Sequence, residues 1–341
     1  AANSFAVSNM YYTAGLYQDD AVTSLEGLQS AGMKVCLDDQ SETQKGTNIL
    51  PFPDLEPVQI CNGVPSCYND TVLERLDEFM LLAHNHSIKV TLDMNSFNAI
   101  CIAEFYTNTS AQAHFHARLV YVLNHVHTTL GKPWRELNEY IFGFEAENEA
   151  MIGDGEIFIQ EHQQWSCDRA MTIKTELTAA HQILVITGGE SWMAEPVQPG
   201  FLSCPALDVI SIHAYAVTDF YTSSVAGYVQ QAIAAGKKLL MEEWGAWYYN
   251  TANNDCPSGD ALPTSMRNAN IQGCAANITA AGLPWLCWEV IPNADSHWGG
   301  DFEASVVDDP SWSTLQDACL QDAALSALGA PAAFDFSRYL L

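Results

Sequence analysis

Eight short apolar, β-branched runs recur along the chain with longer amphipathic stretches between them, and this alternation constrains the fold more than any other feature. The runs are FAVSNMYY (5–12), MKVCLDD (33–39), IKVTLDM (88–94), YIFGFEAENE (140–149), ILVITGG (183–189), LDVISIHAY (207–215), KLLMEEWG (238–245) and PWLCWEV (284–290). Helical periodicity falls between and after them at 17–31, 70–87, 110–130, 156–181, 224–236, 262–281 and 311–328. In the second of these, Val72, Leu73, Leu76, Phe79, Met80, Leu82 and Ala83 share one stripe at the 3.6-residue period, with Asp70 as cap. Strand–helix alternation is the signature of parallel βαβ units. Eight repeats with no Pro/Ser-rich linker predict a single (β/α)₈ TIM barrel over residues 1–341. The rival, an open doubly wound sheet, calls for a Gly-rich phosphate turn after an early strand, and no G-x-G-x-x-G or P-loop occurs.

Composition narrows the partners. Thirteen basic against 41 acidic residues give a net charge of −28, which repels nucleic acid phosphates and anionic membranes because both need Lys and Arg to replace counterions. No apolar run is long enough to span a bilayer. The N-terminal AANSFAVSNMYY lacks the basic and apolar regions of a signal peptide, which is expected to be already removed or never present. The ten cysteines are an even number, and Cys61 and Cys67 bracket a short loop that a disulfide would close; Cys256–Cys274 is a second expected pair. No Cys-x₂-Cys or paired Cys/His spacing suggests zinc, and no cofactor is expected. With sequons at Asn69, Asn85, Asn108 and Asn277, these features predict a secreted, extracellular glycoprotein.

A TIM barrel does its chemistry at the C-terminal ends of its strands. The fourth run ends Glu145-Ala146-Glu147-Asn148-Glu149 and the seventh Glu242-Glu243-Trp244-Gly245. One acidic strand end reads first as structural; two on opposite sides of a barrel point to a pair of working carboxylates, since buried acids cost desolvation energy unless paired or used. A retaining glycosidase needs such a pair about 5–5.5 Å apart, one as general acid and one as nucleophile. The sixth strand adds His213 and Tyr215 and the eighth Trp288, whose indole can stack on a sugar ring. Trp192, Trp247, Tyr248, Tyr249 and Trp298 are further aromatic candidates for a sugar cleft, each equally readable as loop packing.

At these residues the sequence resembles clan A glycoside hydrolases, closest to family 5 and within it fungal endo-β-1,4-mannanases. IFGFEAENEA (141–150) resembles the strand-four motif ending Asn-Glu-Pro, LLMEEWGAW (239–247) the strand-seven Glu-aromatic-Gly motif, DVISIHAY (208–215) the His-x-Tyr motif, and WLCWEV (285–290) the strand-eight Trp. The resemblance implies a TIM barrel and a retaining β-glycoside hydrolase. It makes Glu149 the acid/base and Glu243 the nucleophile, with Asn148 at the substrate 2-hydroxyl, His213 and Tyr215 as polar site groups and Trp288 as the sugar platform. Asn95, Trp247 and Trp192 are assigned to the substrate cleft.

Three departures stand out. Leu37 occupies the place of an Arg that hydrogen-bonds the nucleophile, Asn95 stands where many members have His, and Ala150 replaces the Pro after the acid/base, with Glu147 crowding it. Glu147 either raises the pKa of Glu149 or, as favoured, points away to pair with a cation; alternation turns Glu242 toward the surrounding helices. A monomer acting on a neutral polysaccharide or oligosaccharide is expected, and the resemblance makes β-1,4-mannan the first substrate. A β-glucan or β-galactan, or a catalytically inactive carbohydrate-binding barrel, are the alternatives.

Overall fold

The computed structural model describes residues 4–7, 18–38, 55–56, 64, 66–95, 103–177, 182–190, 194–215, 217–249, 261–293, 302–327 and 334–340. Eight parallel strands close into a barrel in sequence order: β1 (Ser4–Val7), β2 (Val35–Asp38), β3 (Lys89–Asp93), β4 (Ile141–Glu145), β5 (Leu184–Ile186), β6 (Val209–His213), β7 (Lys238–Glu243) and β8 (Trp285–Cys287). The ring is sealed where Ser4, Phe5 and Ala6 pair with Trp285, Leu286 and Cys287. Every residue of β3, β4, β5, β6 and β8 is buried. A filled barrel inside and helices outside leave such strands no wet face, which is why they read as continuous runs rather than alternating ones.

Among the described residues the seven longer helices overlap the stretches the 3.6-residue pattern predicts, and two short ones, Ala103–Thr107 and Pro199–Ser203, are not predicted by it. They are α1 (Gln18–Ser30), α2 (Thr71–Asn85), the short α3 (Ala103–Thr107), α4 (Thr109–Asn124), α5 (Glu156–Glu176), the short α6 (Pro199–Ser203), α7 (Thr222–Ala235), α8 (Thr264–Ala280) and α9 (Trp312–Ala327). Gly236 ends α7 in the left-handed conformation at φ +69°. Among the described helices none is long and apolar enough to cross a membrane.

Two local expectations change. Asp70 precedes α2 but makes no capping bond; its Oδ1 accepts from Tyr121 Oη at 2.6 Å, and the neighbouring Asn69 Oδ1 accepts from Thr71 N at 3.0 Å instead. PWLCWEV is not one strand. It divides at Trp288–Glu289, and β9 (Val290–Asn293) then pairs with β10 (Ala304–Val307) in a separate two-stranded parallel sheet packed on α1 and α9.

Buried polar groups pin the scaffold. Asp77 on α2 is fully buried and accepts from Trp134 Nε1 at 2.7 Å, Thr128 N at 2.8 Å and His125 Nε2 at 3.1 Å. Burial opposes its ionisation, but these donors outweigh it and hold the carboxyl below its ordinary value. At the strand N-terminal end, Lys174 pairs with Asp208 at 2.6 Å, Lys237 donates to Cys204 O and Leu207 O, and Lys238 lies over the Phe336 ring.

A disulfide joins Cys167 on α5 to Cys204 after α6. Cys67 is disulfide-bonded, and Cys61 lies outside the described residues. The expected Cys256–Cys274 pair is not formed: Cys274 is a free thiol on the inward face of α8. Burial there pushes it up to about 12.

Candidate active site

The C-terminal ends of β4, β6 and β7 bring Glu149, His213, Tyr215 and Glu243 together. One carboxylate oxygen of Glu149, one of Glu243 and one His213 ring nitrogen all lie within 4.8 Å of one another. His213 Nδ1 faces both acids, at 3.0 Å from Glu149 Oε1 and 3.3 Å from Glu243 Oε2. Tyr215 Oη donates to Glu243 Oε2. With Nδ1 as a donor between two carboxylates, the cluster can share a proton among three groups.

Backbone geometry aims these groups. Glu149 takes φ +55°, unusual for a residue with a side chain. Its N–H donates to Gly188 O at 2.9 Å, so the end of β5 fixes the turn that throws Glu149 inward. That approach requires glycine at 188 and 189. A Cβ on Gly188 would sit 2.1 Å from Glu147 O, and one on Gly189 2.3 Å from His213 Cδ2.

The His213 ring is fully buried. Burial disfavours its cation, yet Glu243, Glu149 and Glu242 together raise its pKa well above the ordinary value, which favours the imidazolium. Burial, then Glu243 and Glu149, raise the Tyr215 phenol, which stays protonated and able to donate.

The expected cleft residues divide. Asn148 is buried, and its N–H donates to Asn95 O at 2.8 Å. Asn95 Nδ2 donates to Glu147 Oε1 at 2.7 Å. Trp288 is half-buried beyond β8. Trp247 spends its indole N–H on Tyr215 O at 3.0 Å and meets Phe302 edge-on, which makes it a brace for Tyr215. Tyr248 and Tyr249 pack edge to face. Trp192 and Trp298 lie outside the described residues, and the side chain of Leu37 is likewise not described.

The direct partners of Glu147 are an amide and a phenol rather than the expected cation. It hydrogen-bonds Asn95 and Tyr106, with Arg118 felt only at longer range, and burial pushes it up to about 8. Glu242 does not face the helices. It is fully buried with its Oε2 3.6 Å from His213 Nε2. The register shift at Ile212/His213 pairs His213 with Glu243 after Ile212 has paired with Met241, and this breaks simple alternation.

Reasoning from sequence missed two acids. Glu145 ends β4 fully buried, and Glu190, after Gly188-Gly189, is also buried, with its carboxyl raised well above the usual range by burial. The ITGGE stretch carried a signal for the second, since paired glycines beside an acid mark a tight approach.

The family model described as "Cellulase (glycosyl hydrolase family 5)" matches residues 40–294, which span the ends of β4, β6 and β7. The chain belongs to glycosyl hydrolase family 5. This family 5 chain is therefore a glycoside hydrolase acting on β-glycan. Among solved structures it is similar to the endo-1,4-β-mannanase from Rhizomucor miehei, with 16% identity over 95% of each chain and a TM-score of 0.70. The endo-β-1,4-mannanase from Thermotoga petrophila is 17% identical over 94% of this chain and 77% of that one, with a TM-score of 0.66. The family 5 mannosidase from Rhizomucor miehei is 14% identical over 95% and 94%, with a TM-score of 0.67. At these identities the likeness is one of fold. No curated protein sequence matches the family 5 chain significantly.

Proposed function

We propose that the protein is a secreted, monomeric, retaining β-glycosidase that cleaves neutral cell-wall β-glycan, β-1,4-mannan first, by double displacement. The observation that carries this reading is the approach of the Glu149 and Glu243 carboxylates to within 4.8 Å. Retaining enzymes hold their carboxyls about 5–5.5 Å apart, whereas an inverting pair leaves room for water at about 6.5–9.5 Å. Glu149 protonates the leaving oxygen and then activates water. Glu243, held by Tyr215, attacks the anomeric carbon and is displaced in turn. Asn148, Asn95 and Trp288 bind the sugar at the cleavage point, and Trp192 and Trp247 belong to the cleft wall. The mannan assignment draws on the mannanases and mannosidases of shared fold; the family model's cellulase description favours β-1,4-glucan as the second substrate.

The test is turnover on a panel of mannans, glucans and galactans, with the anomer of the first product followed by NMR. Glu149→Ala and Glu243→Ala are expected to lose at least about 10³-fold in kcat while staying folded. An α-configured first product, or near-wild-type turnover by either variant, would refute the assignment.

A further inference from the structure

Beneath the two catalytic carboxylates lies a second acid pair that the double-displacement scheme does not use. Glu145 at the end of β4 and Glu242 on β7 are both fully buried and close enough to hydrogen-bond each other. Among the described residues, none of their four carboxylate oxygens receives a donor. Two unsatisfied anions in contact inside a dry barrel repel each other and forgo solvation. A single proton removes both costs, because a carboxylic acid donates to the carboxylate beside it.

The position of His213 decides which acid carries that proton. Its Nε2 stands 3.6 Å from Glu242 Oε2 while its Nδ1 faces Glu149 and Glu243. A ring with an acid on each side is best served by N–H on both nitrogens. The acid facing Nε2 then remains an anion, and the one behind it is neutral. We propose that Glu145 is a buried neutral carboxylic acid that donates to the Glu242 carboxylate, and that this dyad keeps His213 a cation under the Glu149–Glu243 pair. Both acids are positioning residues acting through His213, and the idea rests on the glycosidase reading of Glu149 and Glu243.

Burial, Glu242 and Asp93 together raise the Glu145 carboxyl well above its ordinary range, in keeping with a neutral acid there. The other ionisable groups facing the dyad and the ring are Asp93 from β3, Glu149 after β4, Glu190 after β5, and Glu243 from β7. Tyr215, which donates to Glu243, also feels Glu149 and Glu289. His213 is the one group in this set that can be positive, so the dyad's single negative charge bears directly on whether that cation persists.

The test compares Glu242→Gln with Glu145→Gln. Removing the Glu242 anion weakens the His213 cation, and with it the positive charge beside Glu243. The NMR pH profile of the His213 ring, whose titration this anion raises, is expected to move down by about one unit, the lower end of what a neighbouring charge does. Glu145→Gln keeps a donor to Glu242 and should leave the profile where it was. Infrared difference spectra at neutral pH should show a protonated-carboxyl C=O band that Glu145→Gln abolishes and Glu242→Gln retains. An unmoved profile in Glu242→Gln, equal shifts in the two variants, or loss of no such band in Glu145→Gln would each overturn the proposal. A protein inactive on every β-glycan overturns the glycosidase reading instead, and the infrared band still decides the state of Glu145.

Discussion

Replacing Gly189 with alanine tests how finely the catalytic geometry is held. The position has φ +65°, where an L-residue costs about 1–2 kcal/mol. The added Cβ would also stand 2.3 Å from His213 Cδ2 and 2.4 Å from Nε2, against ordinary contact beginning at 3.4 Å. The ring must therefore retreat by about 1 Å, a displacement able to cost about 10²-fold in rate. Such a movement breaks the 3.0 Å contact between Nδ1 and Glu149. Gly236→Ala supplies the control, since φ is +69° there and a Cβ meets nothing within 4 Å. Both variants are expected to unfold at lower denaturant concentration, by comparable amounts from backbone strain, while only Gly189→Ala loses about 10²-fold in kcat on mannan oligosaccharides. Equal kcat in the two would show that ring position does not limit catalysis.

Tyr215→Phe removes the phenol that donates to Glu243. A hydrogen bond to a charged group is worth about 1.5–3 kcal/mol, so kcat/KM is expected to fall about 10–100-fold with the acid limb of its pH profile moving up; an unchanged profile would sink this role. Asp77→Ala leaves the Trp134 and Thr128 N–H groups buried without an acceptor, and denaturant unfolding is expected to show a loss of about 3–5 kcal/mol. Because folding depresses the Asp77 carboxyl, its stabilisation is complete above the ordinary value of about 3.9 and disappears as pH falls through the depressed one. The gap between wild type and Asp77→Asn should narrow over that window, and a constant gap would contradict the reasoning. Glu147 behaves oppositely. Its carboxyl is pushed up to about 8, so wild-type stability should decline as pH rises from about 4.3 to 8 while Glu147→Gln shows a flatter profile; parallel curves would refute it.

The barrel was legible because its strands, buried on both faces, leave unbroken apolar runs such as ILVITGG and DVISIHAY between amphipathic helices. Glu149, Glu243, His213 and Tyr215 come together because each lies at, or within four residues of, the C-terminal end of a strand. Glu242 could not be placed from sequence, since a register shift in β6–β7 overrides the two-residue period and leaves no mark in composition. Glu147 turns on the partners offered by Asn95 and Tyr106, residues remote in sequence. The division of PWLCWEV into β8 and β9 depends on β10, which no local pattern near Trp288 announces. Cys274 shows the same limit: the expected bridge to Cys256 is absent, and the free thiol is packed inside the fold.

Strand β7 begins with Lys238 and ends with Glu243, and the groups around its two ends follow suit. Lys174 and Lys237 gather near its start, while Glu149 and Glu242 surround its end. The carboxyls of Glu149, Glu242 and Glu243 thus crowd around His213 at the C-terminal end of the barrel. If the proposed glycosidase reading holds, a chain of uronic acids is expected to be repelled there and a chain of neutral hexoses is not. Cleavage of neutral polymer should accordingly be indifferent to ionic strength, whereas any binding of oligouronates should strengthen as salt screens the mouth.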